Sequence, residues 1–168
     1  DSSLALNLAV HRLRGKIYNI DFVREIIEQA AILYDSKKSG ILELGGGVPK
    51  NTAQQTGPLL DQILKRDDGG QDYIIQITDA RPDTGGLSGA TLQEGKSWGK
   101  VQDAHEGIIT VYADATIAFP ILALYVLSNQ KTRKPKRLYK KLNKLYDKLS
   151  EDYFKNPDNK IGKSKKKD

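Results

Sequence analysis

From Ile41 onward the chain repeats one pattern: a short apolar run, a loop rich in glycine or aspartate, then a helix-forming segment. Ile41-Leu42-Glu43-Leu44 reads as a short buried strand that runs into Gly45-Gly46-Gly47, with Pro49 close behind. Asn51 or Thr52 starts a helix through about Lys65, with Leu59, Leu60, Ile63 and Leu64 as its apolar positions. Asp67-Asp68-Gly69-Gly70 is a turn, and Tyr73-Ile74-Ile75-Gln76-Ile77 is the next strand. A glycine-rich loop, Asp79 to Gly89, follows; loops this long inside a compact domain are usually functional or disordered. A short helix spans about Leu92 to Gly95, and Ile108-Ile109-Thr110-Val111-Tyr112 is a third strand. It ends at Asp114, after which Thr116 caps a helix to about Leu127 with Pro120 in its first turn. Parallel strands can be joined only by long crossovers, so this alternation predicts a three-layer α/β/α arrangement with a mainly parallel sheet covered on both faces. Ligands in such sheets sit beyond the carboxyl ends of the strands. The Gly45 loop, the Asp79–Gly89 loop and Asp114 all fall there.

The flanking segments read differently. Asn19 or Asp21 caps a helix to about Tyr34, with Val23, Ile26, Ile27, Ala30 and Leu33 on one face. After Asn129, a basic linker from Lys131 to Lys136 leads to Leu138, Leu142, Leu145 and Leu149 at helical spacing, with Tyr139, Tyr146 and Tyr153 on an adjacent line. This is an amphipathic helix that packs on the domain or on a partner. Three regions result: a domain over 1–130, a basic helical extension over 131–154 and a lysine-rich, disordered tail over 155–168.

Composition removes several classes of function. There is no cysteine, which excludes disulfides, thiolate metal sites and cysteine nucleophiles. With His11 and His105 as the only histidines, no metal site is expected. No apolar run is long enough for a membrane span and no signal-peptide pattern opens the chain, so a cytoplasmic protein is expected. The longest apolar stretch, Ile117 to Leu127, reads as a buried helix. The chain opens at Asp1 and has no methionine, so a fragment, a processed product or one piece of a larger polypeptide is expected. The formal charge of +6 is uneven: 131–168 carries 15 basic and 5 acidic residues, leaving the rest net acidic. A basic fold that grips nucleic acid is disfavoured, although a basic tail remains.

The chemistry rests on a few residues. Three glycines after a strand let a ligand approach the backbone, and their amides can bind an anion; a tight turn explains them equally well. Lys100, in Ser97-Trp98-Gly99-Lys100, becomes a nucleophile if burial or a nearby cation favours its neutral form; in isolation it is an ordinary solvated lysine. Glu94 alone is an ordinary helix glutamate. Asp114 stands at a strand end, where function and capping are both open. His11 and His105 show no partner pattern.

Together, Leu44-Gly-Gly-Gly-Val-Pro-Lys50, Gly85-Gly-Leu-Ser-Gly-Ala90, Glu94-Gly-Lys-Ser-Trp-Gly-Lys100 and Val111-Tyr-Ala-Asp-Ala-Thr-Ile-Ala-Phe-Pro120 resemble the deoxyhypusine synthase family. The resemblance covers about Asp1 to Leu127 and corresponds to the C-terminal half of that family's Rossmann-like domain. It implies NAD as cofactor and a transferase that moves a 4-aminobutyl group from spermidine or a related polyamine. The acceptor would be a protein lysine of the hypusine-bearing translation factor, or a polyamine giving homospermidine. Lys100 matches the lysine that forms the covalent imine, Trp98 the tryptophan along the polyamine, and Glu94 a carboxylate holding an amine end. Gly45, Gly46 and Gly47 match NAD-contacting glycines. Ala80, Gly85, Gly86 and Ser88 fall on the second cofactor loop, with Gly86 in place of a serine. Asp114 and Ala115 match the pair near the adenosine, and Asp1 an aspartate near the nicotinamide. The family forms tetramers with sites between subunits, so a homo-oligomer or an assembly with an N-terminal half is implied.

Three positions depart from the family. Leu6 and Leu87 stand where it has aspartates that contact the polyamine, and Asn51 replaces a substrate-facing histidine. A buried ammonium without a partner costs several kcal/mol, at about the scale that decides which amine binds. The reading is a divergent transferase with an altered donor or acceptor; a non-catalytic regulatory paralogue or subunit is the alternative.

Overall fold

The computed structural model describes residues 3–66, 69–101, 107–131, 134–156 and 159. Asp1, His105, part of the Asp67–Gly70 turn and the Lys160–Asp168 tail lie outside them. Helix α1 (Ser3–Leu13) precedes α2 (Phe22–Tyr34), which leads to strand β1 (Gly40–Leu44). Then come α3 (Val48–Gln54), α4 (Thr56–Pro58), a π-helical turn Leu59–Ile63 and β2 (Tyr73–Thr78). Two 3-10 turns, Pro82–Thr84 and Leu87–Gly89, lead to α5 (Leu92–Ser97) and β3 (Ile108–Tyr112). Helix α6 (Ala115–Asn129), a 3-10 turn Leu138–Lys141 and α7 (Leu142–Lys155) complete the order.

The three strands form one parallel sheet in the order β1-β2-β3, giving the α/β class expected from the alternation. Leu42 lies beside Ile75 and Ile75 beside Ile109, so alternate residues share a face across all three strands. The opposite face carries Ile41, Ile74 and Ile108, then one register step of Glu43, Gln76 and Thr110. Ile74 is buried with Leu92 of α5 and Val101, and Ile108 packs against them. Here α5 covers the sheet.

The second face is less covered than the sequence suggests. Leu42 and Leu44 of β1 and Ile109 and Val111 of β3 are exposed, although Ile77 between them is buried. Helix α6 lies against β2, yet none of its residues is buried, and Ile117, Ile121, Leu124, Tyr125 and Leu127 face outward. The apolar stretch read as a buried helix is therefore a helix, but not a buried one. Its cap is Asp114 rather than Thr116: the Asp114 carboxylate accepts from Thr116 N at 2.7 Å and from Thr116 Oγ1 at 2.6 Å. Pro120 sits in the second turn, not the first, and the helix continues past the missing N–H.

A second core lies among the helices. Ala30, Ala31 and Leu33 of α2 pack with Leu60 of the π turn and with Leu145 and Leu149 of α7. Burying a leucine side chain contributes about 1.5–3 kcal/mol, so α7 adds real stability to this region. Polar contacts follow the same seam: Tyr34 Oη donates to Asp152 at 2.8 Å and Arg24 Nη2 to Asn143 Oδ1 at 2.9 Å. Asp21 caps α2 by accepting from Arg24 N. Val23 is exposed, so the buried stripe of α2 begins a turn later than the apolar spacing implies. The helix expected from Asn51 starts three residues earlier, at Val48, and breaks after Gln54. Helix α1 has no sequence-level counterpart above; its Leu4, Leu6, Val10 and Leu13 are all exposed.

Candidate functional site

Lys100 owes its position to the way α5 ends. Thr91 opens the helix by accepting from Glu94 N at 3.2 Å. Gly99, at φ 69°, closes it in the left-handed conformation. The Gly99 N–H then reaches Lys96 O and the Lys100 N–H reaches Gly95 O, both at 3.0 Å. This pair of bonds is a Schellman motif, which satisfies the last carbonyls and turns the next residue off the helix axis. Trp98-Gly99-Lys100 is therefore one device: a cap residue, a glycine that permits the turn, and a lysine delivered just past it. Gln62 Nε2 donates to Trp98 O at 3.1 Å and anchors the turn from the π-helical segment.

Two further glycines seat this turn against the body. A Cβ on Gly57 would lie 2.7 Å from Gly99 O and 2.8 Å from Gly70 N. One on Gly70 would lie 2.7 Å from Val101 N and 2.9 Å from the Lys100 carbonyl carbon. No side chain fits at either place, so backbone packs on backbone behind Lys100.

The Lys100 ammonium donates to Asn51 Oδ1 of α3 at 3.1 Å. Lys100 and Asn51 line a cavity of about 260 Å³ together with Lys50, Gln54, Gln55, Leu87, Ala90, Glu94 and Trp98. Four residues chosen from the sequence, Asn51, Glu94, Trp98 and Lys100, thus meet in one space, with Leu87 on its wall. Trp98 is 61 % exposed and presents a flat apolar surface there. Leu6, on α1, is exposed and does not line this cavity.

The remaining sequence-chosen residues gather at the carboxyl ends of the strands. Gly45 and Gly46 follow β1 with φ of 70° and 140°, and Gly47 caps α3. Ala80 follows β2, its N–H held by Thr78 Oγ1 at 3.1 Å. Gly85, Gly86 and Ser88 lie on the loop beyond it; Asp114 and Ala115 follow β3 and open α6. A Cβ built on Gly45, Gly47, Gly85 or Gly86 meets nothing within 4 Å. The glycines leave open space at the strand ends, which is room a large cofactor needs. Asp114 is held below the usual carboxylate range by the hydrogen bonds from Thr116, so it is an anion at the sheet edge. Asp1 lies outside the described residues.

Three functional candidates escaped the sequence reading. Lys50, 7 % exposed, donates through Nζ to Ala90 O at 2.7 Å and to Leu87 O at 3.4 Å. Gln76 Nε2 donates to Gly45 O at 3.1 Å and Ser88 O at 2.9 Å. Glu43, 5 % exposed, accepts from Gln54 Nε2 at 2.6 Å, while its Oε2 is buried without a hydrogen bond. Burial raises the Glu43 carboxyl above its ordinary value, against the Gln54 hydrogen bond and the Lys50 and Lys100 charges. Burial lowers Lys50, with Glu43 and Glu94 opposing and Lys100 adding to it. The missed signal was a polar residue inside each apolar strand run: Glu43 in β1 and Gln76 in β2. Such a residue must find a partner or carry a cost; here Gln76 ties the two loops and Glu43 holds Gln54 of α3.

Among the described residues no group of three or more His, Asp or Glu is arranged to hold a metal, and no helix is long and apolar enough to cross a membrane.

Comparison with known proteins identifies the family. The family model for deoxyhypusine synthase matches residues 1–126. The chain is 45% identical over 159 residues to a deoxyhypusine synthase-like protein of Nostoc sp., covering 92% of this chain and 42% of that protein. It is 43% identical over 162 residues to a deoxyhypusine synthase-like protein of Thermosynechococcus vestitus, covering 92% and 40%. It is 42% identical over 138 residues to a protein of Methanosarcina acetivorans named probable deoxyhypusine synthase 2, covering 82% and 39%. The chain therefore spans about two fifths of the length of the curated relatives it matches. On a family model that covers three quarters of its length, the chain belongs to the deoxyhypusine synthase family.

Proposed function

We propose that Lys100 is the imine-forming lysine of an NAD-dependent transferase that moves a 4-aminobutyl group from spermidine or a related polyamine to an acceptor amine. The observation that carries this is the delivery of Lys100 by the Schellman turn into a cavity it shares with Asn51, Glu94 and Trp98. Gly45, Gly46, Gly47, Ala80, Gly85, Gly86, Ser88, Asp114 and Ala115 hold the cofactor at the strand ends, where a side chain on four of those glycines would occupy open space. Bound there, NAD would supply a hydride acceptor for the carbon next to the donor's secondary amine and a hydride source for the product. Glu94 holds the terminal ammonium of the substrate, and Trp98 lies along its methylene chain. The Lys100 amine adds to the oxidised carbon; the C–N bond to the departing diamine breaks and that diamine takes the proton Lys100 gives up. The Asn51 amide oxygen orients Lys100 for this attack and exchanges its hydrogen bond as the C–N bond forms. The acceptor amine then displaces Lys100 from the same carbon.

Leu87 on the cavity wall, where the family has an aspartate, supports an altered amine rather than a lost reaction. The acceptor is a protein lysine or a second polyamine. The protein works as a homo-oligomer or with a further segment that covers α6 and the open sheet face, and it acts in the cytoplasm. The alternative is a non-catalytic regulatory paralogue or subunit.

The test uses protein expressed from its full coding sequence with NAD and spermidine or putrescine, followed by borohydride. A reduced adduct on Lys100, lost in Lys100→Ala together with at least a 100-fold fall in aminobutyl transfer, is the expected result. Absence of both adduct and transfer with every polyamine tried rejects catalysis in favour of the regulatory reading.

A further inference from the structure

The two glycine-rich loops at the strand ends come from distant parts of the chain, and two buried donors join them. Gln76 bonds Gly45 O of the first loop and Ser88 O of the second. Lys50 lies with its methylenes under Gly46, where a Cβ would fall 2.7 Å from its Cδ, and its ammonium bonds Ala90 O and Leu87 O. Lys50 also lines both neighbouring cavities: the one holding Lys100 and a second, of about 320 Å³, lined by Glu43, Gly46 and Gly47. A buried ammonium is expensive unless its donors are used and an opposite charge is near. Here the carbonyls take the donors and buried Glu43 supplies the opposite charge.

We propose that Lys50 is a positioning residue that fixes the second glycine-rich loop over the first, and so sets the shape of the NAD cradle beside Lys100. This rests on the cofactor reading above. Charge matters to the role, because hydrogen bonds from an ammonium to carbonyls are about twice as strong as neutral ones. The glycine at 46 matters too, since the lysine chain runs through the space a side chain there would fill. Lys50 touches no reacting atom in this role; it acts through the carbonyls of Leu87 and Ala90.

The test measures NAD affinity by calorimetry on the full-coding-sequence protein and on Lys50→Met and Lys50→Arg, with Tm recorded for each. Lys50→Met keeps the apolar stem and removes the ammonium; its NAD Kd rises at least tenfold. Lys50→Arg keeps the charge and recovers part of that loss, which a purely structural packing role does not predict. A folded Lys50→Met whose Kd stays within threefold of wild type overturns the proposal. If Lys50→Met does not fold, Lys50→Gln, which keeps a donor but not the charge, decides: a Kd raised at least threefold supports the proposal, and one within threefold of wild type overturns it. Wild-type protein that binds no NAD rejects instead the cofactor reading on which the proposal rests.

Discussion

Glu43 is a carboxylate set in a strand of isoleucine and leucine, and it makes the protein's stability depend on pH in a defined direction. Its carboxyl is raised by burial. Below the ordinary glutamate pKa both folded and unfolded states are protonated there, and Glu43 contributes no pH dependence. Above it the unfolded chain ionises first, so the contribution of Glu43 to stability declines as pH rises through the raised folded value. Glu43→Gln removes this decline while an amide oxygen can still accept from Gln54. The expected outcome is that Tm of Glu43→Gln relative to wild type increases from pH 4 to pH 7. A difference that is flat or decreases over that range shows that the charge of Lys50 outweighs burial. The residue was not legible as functional because a single glutamate in an apolar run also fits a solvent-facing strand position. Only the register beside Gln76 and the Gln54 partner show that it points inward. That Lys100, Glu94 and Trp98 form one group was legible, because the motifs were read together; Lys50 stood inside one of those motifs and was given no role.

At the scale of elements, the site depends on α4 and the end of α5 approaching each other backbone to backbone. Gly57 makes this possible, and the expected helix from Asn51 or Thr52 to about Lys65 ran straight through it. An alanine in a helix normally gains up to about 1 kcal/mol over glycine. At Gly57 the added methyl meets three backbone atoms within 3 Å, none of them at the end of a flexible side chain, so the clash prevails. Gly57→Ala is expected to destabilise by about 1–3 kcal/mol, lowering Tm by several degrees, and to weaken imine trapping on Lys100 by shifting the turn. Gly95→Ala is the control on the neighbouring helix. Its Cβ makes ordinary contacts at 3.7–3.9 Å, so thermal melting should show Tm unchanged or raised. The strands were legible to within a residue because apolar runs ending in glycine or aspartate mark both their bodies and their exits. The break in the second helix was not, since Pro58 and the π turn depend on where Leu60 finds the α2–α7 core.

For the whole molecule, the question is what faces water. A helix as apolar as α6 is stable in a protein when its surface is covered. Here Ile117, Ile121 and Leu124 are exposed beside an open sheet face. The 168-residue chain alone is expected to self-associate as concentration rises, seen as increasing sedimentation coefficients. Ile121→Glu with Leu124→Glu, which alters exposed positions only, should hold it at one value; equal association in both proteins places the contact elsewhere. The sequence showed α6 as apolar and misplaced it as buried, because composition reports the need for cover and not what provides it. The extension reads more simply: Leu145 and Leu149 occupy the α2 core, so its helix is an integral part of the described fold while its basic residues lie outward.

Trp98 is the chain's single tryptophan, and it stands half out of the cavity wall. Emission excited beyond the tyrosine absorption band therefore originates within reach of Lys100. A substrate laid along the indole would move that emission to shorter wavelength, and a reduced nicotinamide nearby would absorb it. The protein carries its own optical reporter at the site, so each event there can be followed in time without a label.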